Sequence, residues 1–243
     1  MKIGLAVGRD FSGKAEMIYN SLKVSGYKPD FILFCFPEPK RIMNYKKIKW
    51  LPRILIAFAI KVLPIFILKI ISKKFQPNVD TKIYFVKSIN SLKSRRILFL
   101  QNPDVVVVYS CGFIKKNICE LFHNVFMNAH AGKLPEFRGV NNVEWTYLMG
   151  QELFGTIQFT APLMDTGDIV YEEKMEKVRQ PENIEQIRQD AFIKVFGLFP
   201  KAIDNLLNVN FSPKKQPSQR TTRYVMHPFL KNFLETKILS FKS

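Results

Sequence analysis

At 243 residues the chain is long enough for one α/β domain with a sizeable core, and with 47% apolar residues, 22 of them Phe, it is too hydrophobic to remain disordered. Its three cysteines, Cys35, Cys111 and Cys119, are an odd number at no metal-like spacing, which argues against a disulfide framework or a zinc site and for reduced, mostly buried thiols in a cytoplasmic protein. The net charge of +17 is concentrated, with 15 Lys or Arg and a single acid, Asp80, between Lys40 and Arg96. Nucleic acid, an anionic membrane surface, a phosphorylated small substrate and a plain solvated basic face all remain open as its explanation.

The opening MKIGLAVGRD has an apolar run too short for a signal peptide and reads as a first strand over 2–8. A helix from Lys14 to Val24 follows, then a second strand within GYKPDFILFCF. Between them, GRDFSGKA (8–15) nearly spells a phosphate-binding P-loop, but Ala15 stands where the pattern needs a Ser or Thr hydroxyl to hold magnesium. The loop opens a helix and can still offer backbone N–H groups to an anion. The segment RILIAFAIKVLPIFILKIISKKF (53–75) has an apolar stretch of nearly membrane-spanning length, yet Lys61, Pro64 and Lys69 interrupt it. An interfacial amphipathic helix pair, or a helix packed on the domain or in a dimer interface, fits it better than a span. This basic, apolar insertion covers about residues 39–78.

Strands are expected over TKIYFVKSI, DVVVVYSC and NVFMNAH, a helix over NNVEWTYLMG, and a hairpin of GTIQFTAPL and DIVYEEKMEKV joined by the turn MDTGD. A long, interrupted helix runs from Pro181 to Asn208, and a tail from Phe211, with Pro213 and Pro217, ends in a short helix within HPFLKNFLETKIL. Strands alternating with short helices indicate an α/β fold with a mostly parallel sheet and flanking helices, ending in a hairpin and C-terminal helices. The division expected is a catalytic domain over 1–210 and an extension over 211–243.

Ligands of such sheets bind at the carboxyl ends of the strands, and NAHAGKLPEFRG leaves the last parallel strand at such an end. Asn128 and His130, two apart, share a face of that strand. An Asn amide can donate to a developing oxyanion, and a His of ordinary pKa near 6.5 can exchange a proton at neutral pH. A carboxylate is needed to orient the imidazole. Asp165, 35 residues later in LMDTGD, is the candidate, although an Asp in a turn is usually a turn-former; Asp168 is the more structural rival. His123 reads as structural, and His227 has no paired ligand nearby in sequence.

Together, VVVVYSCGFI, NVFMNAHAGKLPEFRG, NNVEW and GTIQFTAPLMDTGDIV resemble the folate-dependent formyltransferase family from about Asp104 to Val170. The motif residues are Asn128, His130, Leu134, Pro135, Arg138, Gly139, Asp165 and Gly167. The resemblance implies a Rossmann-like fold, 10-formyltetrahydrofolate as formyl donor and no metal. It implies Asn128, His130 and Asp165 as catalytic residues. It also implies a pterin slot between two backbone segments, Cys111, Gly112, Phe113 and Ile114 on one side and Ala161, Leu163, Met164 and Asp165 on the other. Ala131, Gly132 and Lys133 depart from the Ser-Leu pattern common before the Leu-Pro. Fewer than about 40 residues follow the long helix, too few for the β-barrel that helps the family's tRNA-directed members hold tRNA.

The acceptor implied is therefore a nucleotide-linked amino sugar, such as a dTDP-sugar for O-antigen-type lipopolysaccharide, rather than nucleic acid. Homodimerisation and peripheral membrane contact are further expectations from the apolar, basic segment. The alternatives are another small amine such as hydroxyornithine, a formyltetrahydrofolate hydrolase (disfavoured because the first strand starts at residue 2), and a non-catalytic basic protein at a membrane surface.

Overall fold

The computed structural model describes residues 1–8, 13–35, 80–179, 181–217 and 222–240. Within them, the apolar runs line up as neighbouring strands. β1 (Ile3–Val7), β2 (Phe31–Cys35), β3 (Lys82–Val86), β4 (Val105–Tyr109) and β5 (Phe126–His130) are mutually parallel, and β7 (Leu153–Phe159) and β8 (Ile169–Met175) add on antiparallel. The seven form one sheet in the order β3-β2-β1-β4-β5-β7-β8. β1 and β2 are buried along their whole lengths, which explains why they read as continuous apolar runs rather than alternating ones. A separate two-residue strand, β6 (Arg138–Gly139), pairs in parallel with β9 (Thr222–Arg223).

Helices cover both faces. Val107 and Met127 pack with residues of α1 (Lys14–Val24), α5 (Ile184–Phe196) and α6 (Phe199–Leu207). Val106, Val108 and Phe126, on the opposite face, pack with α2 (Leu92–Gln101) and α3 (Lys116–Leu121). The expected long helix is interrupted where α5 gives way to α6 at Gly197 and Leu198. Pro200 sits in the first turn of α6, where its missing N–H has no intrahelical partner to lose. α4 (Asn142–Leu148) is tied to α5 through the buried Glu144, whose carboxylate accepts from Arg188 Nε at 2.9 Å. The last helix, α7 (Pro228–Ser240), places Leu234 and Ile238 in the first core.

The hairpin forms as expected, with one correction. Its first strand stops at Phe159 instead of running to Leu163: the Thr160 N–H still donates to the Phe126 carbonyl in register with the ladder, but Pro162, two residues on, has no N–H to continue it. Most of the near-P-loop, residues 9–12, lies outside the described residues; at its end Lys14 Nζ stands 4.0 Å above the Phe192 ring, and Ala15 is buried in the core. Segment 39–78, with the helices expected over 53–75, lies outside the described residues. No described helix is long and apolar enough to cross a membrane. The cysteines are free thiols, with Cys35 and Cys119 buried and Cys111 half-buried.

Candidate active site

Alternation along β5 sends Met127 to one face and Asn128 and His130 to the other. β7 continues that second face, because Asn128 lies opposite Gln158 and His130 opposite Thr156. Beyond Phe126, two loops and part of the C-terminal tail cover this face in place of a helix. The loop after β5 is pinned to the hairpin: the Thr156 hydroxyl donates to the Gly132 carbonyl at 2.8 Å, and the Leu134 N–H approaches Glu172 at 3.4 Å. Gly132 is needed for this close approach. A Cβ there would come within 3.1 Å of His130 Nε2 and of Phe137 Cβ.

The hairpin loop folds back over the same face and delivers Asp165. Gly167 makes the fold possible, since a Cβ there would lie 1.7 Å from the Phe159 carbonyl oxygen. Asp165 itself is left-handed, with φ 53°, a conformation Asp and Asn tolerate better than most residues. Asp168 meets the sheet through its backbone, its carbonyl accepting from the Phe159 N–H at 2.9 Å.

His130 and Asp165 meet with Nδ1 3.5 Å from Oδ1, their side chains 6% and 10% exposed. The other ring nitrogen, Nε2, is 2.7 Å from the Phe137 carbonyl, which can only accept. With acceptors at both nitrogens, the surroundings suit the doubly protonated imidazolium. Burial pushes the His130 pKa down, but the Asp165 charge and hydrogen bonding, with the Phe137 carbonyl, outweigh it and raise the pKa above the ordinary histidine value. Burial likewise pushes Asp165 up. The His130 charge, the Gly139 N–H at 2.9 Å and the Gln158 amide at 3.0 Å reverse that and hold the carboxyl below its usual range. Asn128, half-buried at the end of β5, lies on the same face as the pair.

The two segments expected to flank a pterin ring both adjoin Cys119, whose thiol is 3.8 Å from the Ile114 carbonyl and lies against Thr160. Phe113, Leu163 and Met164 are exposed large apolar side chains on these segments, and Cys111 and Ala161 are half-buried. Gly112 is left-handed with open space around it, whereas the Ile114 side chain is packed in the core and offers only its backbone. A cavity of about 170 Å³ opens beside Ala161, lined by Cys119, Glu120, His123, Thr160 and Asp168 among others. His123 is exposed at this cavity. His227 is exposed too, and its Nδ1 accepts from the Phe229 N–H at the start of α7. The exposed side chains of Phe113, Leu163 and Met164 offer apolar surface to a flat heteroaromatic ring. Among the described residues no three of His, Cys, Asp and Glu cluster as a metal site would require.

Three residues around the pair carry more than the sequence reading assigned to them. Arg138, expected only as part of a motif, is buried, and its Nε and Nη2 donate to Gln216 Oε1 at 3.0 and 2.8 Å. Gln158 and Gln216 were not singled out. A Gln in the otherwise apolar GTIQF was the signal available for the first; Gln216 lies in a Pro-containing tail with no periodicity to mark it.

The fold is that of the formyl transferases. The family model described as formyl transferase matches residues 67–194, more than half of the chain, and the chain belongs to that family. It is 32% identical over 146 residues to methionyl-tRNA formyltransferase of Finegoldia magna, a match covering 59% of this chain and 47% of that protein. The chain thus spans about half the length of the curated relatives it matches. Among solved structures, a sugar N-formyltransferase from a Shewanella species superposes with TM-score 0.58 at 13% identity, over 98% of this chain and 88% of that one. The formyltransferase PseJ from Anoxybacillus kamchatkensis, in complex with UDP-4,6-dideoxy-4-formamido-L-AltNAc and tetrahydrofolate, does so with TM-score 0.54 at 14% identity, over 91% and 85%. At such identities the two structures establish the shared fold.

Proposed function

We propose that the protein transfers a formyl group from 10-formyltetrahydrofolate to a primary amine. The observation that carries this reading is the buried His130–Asp165 pair, 3.5 Å apart, on the same sheet face as Asn128. The donor supplies an activated formyl carbon, and its pterin ring lies between the segments Cys111–Ile114 and Ala161–Asp165. As the amine nitrogen bonds to that carbon, negative charge grows on the formyl oxygen. Asn128 donates to this oxygen through its amide, and His130 through Nε2, for which the oxygen competes with the Phe137 carbonyl. Asp165 keeps His130 charged and takes part in removing the amine proton while the bond to the donor nitrogen breaks.

The acceptor we propose is a nucleotide-linked amino sugar, whose pyrophosphate suits a chain of net charge +17; solved structures of the same fold include a sugar N-formyltransferase and a formyltransferase in complex with a UDP-linked formamido sugar. A second reading, an aminoacyl-tRNA acceptor, is favoured by the 32% identity to a methionyl-tRNA formyltransferase. The test is incubation with 10-formyltetrahydrofolate and, in separate arms, a panel of nucleotide-linked 3-amino and 4-amino sugars and charged methionyl-tRNA. Mass spectrometry would show one added formyl group on a sugar. Formylation of the tRNA alone would overturn the sugar reading, and no transfer with no folate binding would overturn formyl transfer itself.

A further inference from the structure

Asp165 is held by more than the residues that flank it in sequence. Its Oδ1, the oxygen facing His130, also accepts from Gln158 Nε2 at 3.0 Å. Gln158 Oε1 accepts from Gln216 Nε2 at 3.1 Å, and Gln216 Oε1 accepts from the Nε and Nη2 of Arg138. The second Gln216 amide proton goes to the Gly167 carbonyl at 2.6 Å. Gln216 therefore uses both donors and both acceptor positions.

The chain can run in one direction only. A guanidinium has donors and no acceptor, so the Gln216 oxygen must face Arg138. That leaves the Gln216 nitrogen to face Gln158, whose oxygen must then turn towards it. The Gln158 nitrogen is left for Asp165, where an ionised carboxylate, which only accepts, completes the series. A flip of either amide would set donor against donor or acceptor against acceptor.

We propose that Gln216 is a positioning residue, the middle of a one-way relay from Arg138 through Gln158 that aims Asp165 at His130 and holds its carboxylate ionised. The proposal rests on His130 and Asp165 being the reacting pair. The relay also explains why part of the tail is fastened down around it. Lys214 pairs with Ile169 by two backbone hydrogen bonds of 2.9 Å, Arg138 Nη2 donates to the Pro217 carbonyl, and β9 pairs with β6. The charged and titratable groups facing the pair from neighbouring elements are Arg138 on β6 and Glu172 on β8, the latter opposite Thr156 in the register of His130.

The test is the titration of His130 followed by long-range ¹H–¹⁵N NMR, without donor or acceptor. The protein has only three histidines, and the His130 signals are those lost in a His130→Gln variant. In Gln216→Met the relay is cut, the Gln158 amide is free to turn its oxygen to Asp165, and the His130 midpoint should fall by at least about half a pH unit, roughly a threefold change in proton affinity. Gln158→Met should produce a drop at least as large, and the double variant no more than Gln158→Met alone. The alkaline limb of the turnover profile should move by the same amount, with KM for the acceptor unchanged. A folded Gln216→Met that titrates like the parent overturns the proposal, as does an additive double variant. If Gln216→Met does not fold, Gln216→Asn, which keeps the amide but is one methylene too short to span both partners, gives the same decision. A parent protein that transfers no formyl group would sink the proposed function, while this titration would still decide the relay.

Discussion

The two faces of the β5–β7 ladder are built on opposite principles. On one, Met127, Ile157 and Phe159 sink into the core shared with α1, α5 and α6. On the other, one residue out of step, stand Asn128, His130, Thr156 and Gln158, three of them almost as buried. The apolar face is held by contacts that are individually small and additive. The polar face persists because each donor meets an acceptor, so removing one member strands another. Strand alternation therefore places fold and chemistry back to back on the same residues' backbone, and the two can be disturbed separately.

The largest expected effect lies on the apolar side. Ile157→Ala should cost about 3–4 kcal/mol of unfolding free energy, measured in urea, with turnover per folded molecule close to that of the parent. An equal loss of turnover would mean that the faces are not separable. On the polar side, His130→Ala and Asp165→Ala should each lower turnover by at least about 100-fold, the scale of losing acid–base or oxyanion help, while the melting temperature moves by only a few degrees. Turnover near that of the parent in either variant would remove the pair from the reaction.

A smaller effect should appear with pH. The folded His130 pKa is raised, so its stabilisation is fully present below about 6.5, the unfolded value, and is lost as pH rises through the folded pKa. The folded Asp165 pKa is depressed, so its stabilisation is present above about 3.9 and is lost as pH falls through the folded pKa. The pair stabilises most between these limits. Asp165→Asn should flatten the decline on the alkaline side in urea unfolding followed from pH 5.5 to 9; parallel curves for variant and parent would deny the coupling. The smallest change in stability belongs to Phe113→Ala. At 60% exposure it should alter unfolding by less than about 0.5 kcal/mol, yet weaken binding of a tetrahydrofolate analogue severalfold by calorimetry. Unaltered affinity would place the pterin elsewhere.

What could be read from the sequence follows from range. The helix at Lys14–Val24 and the strands VVVV and FMNAH are local patterns, and they form where periodicity puts them. The Asn-x-His and Asp-x-Gly pieces are recognisable because short spacing fixes their geometry, and Asp165, 35 positions after His130, is brought back to it by β7, which pairs with β5 and leads into the hairpin loop. The end of β7 lies earlier than the alternation suggests because the apolar pattern runs on through Ala161 and Leu163 while Pro162 cannot donate to the ladder. Gln216 was invisible for a different reason. It reaches Gln158 from 58 residues away through a tail without periodicity, and only the assembled fold shows that Arg138 needs its oxygen.

The fastening of that tail has a consequence for synthesis. The parallel strands and α1 to α3 are all complete in the chain by His130, and the hairpin by Met175, but the relay is not finished until Gln216 has emerged from the ribosome. For the interval between, a nascent chain can own most of its sheet and both members of the His–Asp pair while Arg138 still lacks its acceptor in Gln216. The site is thus completed after the sheet and the hairpin, by a residue made later than either.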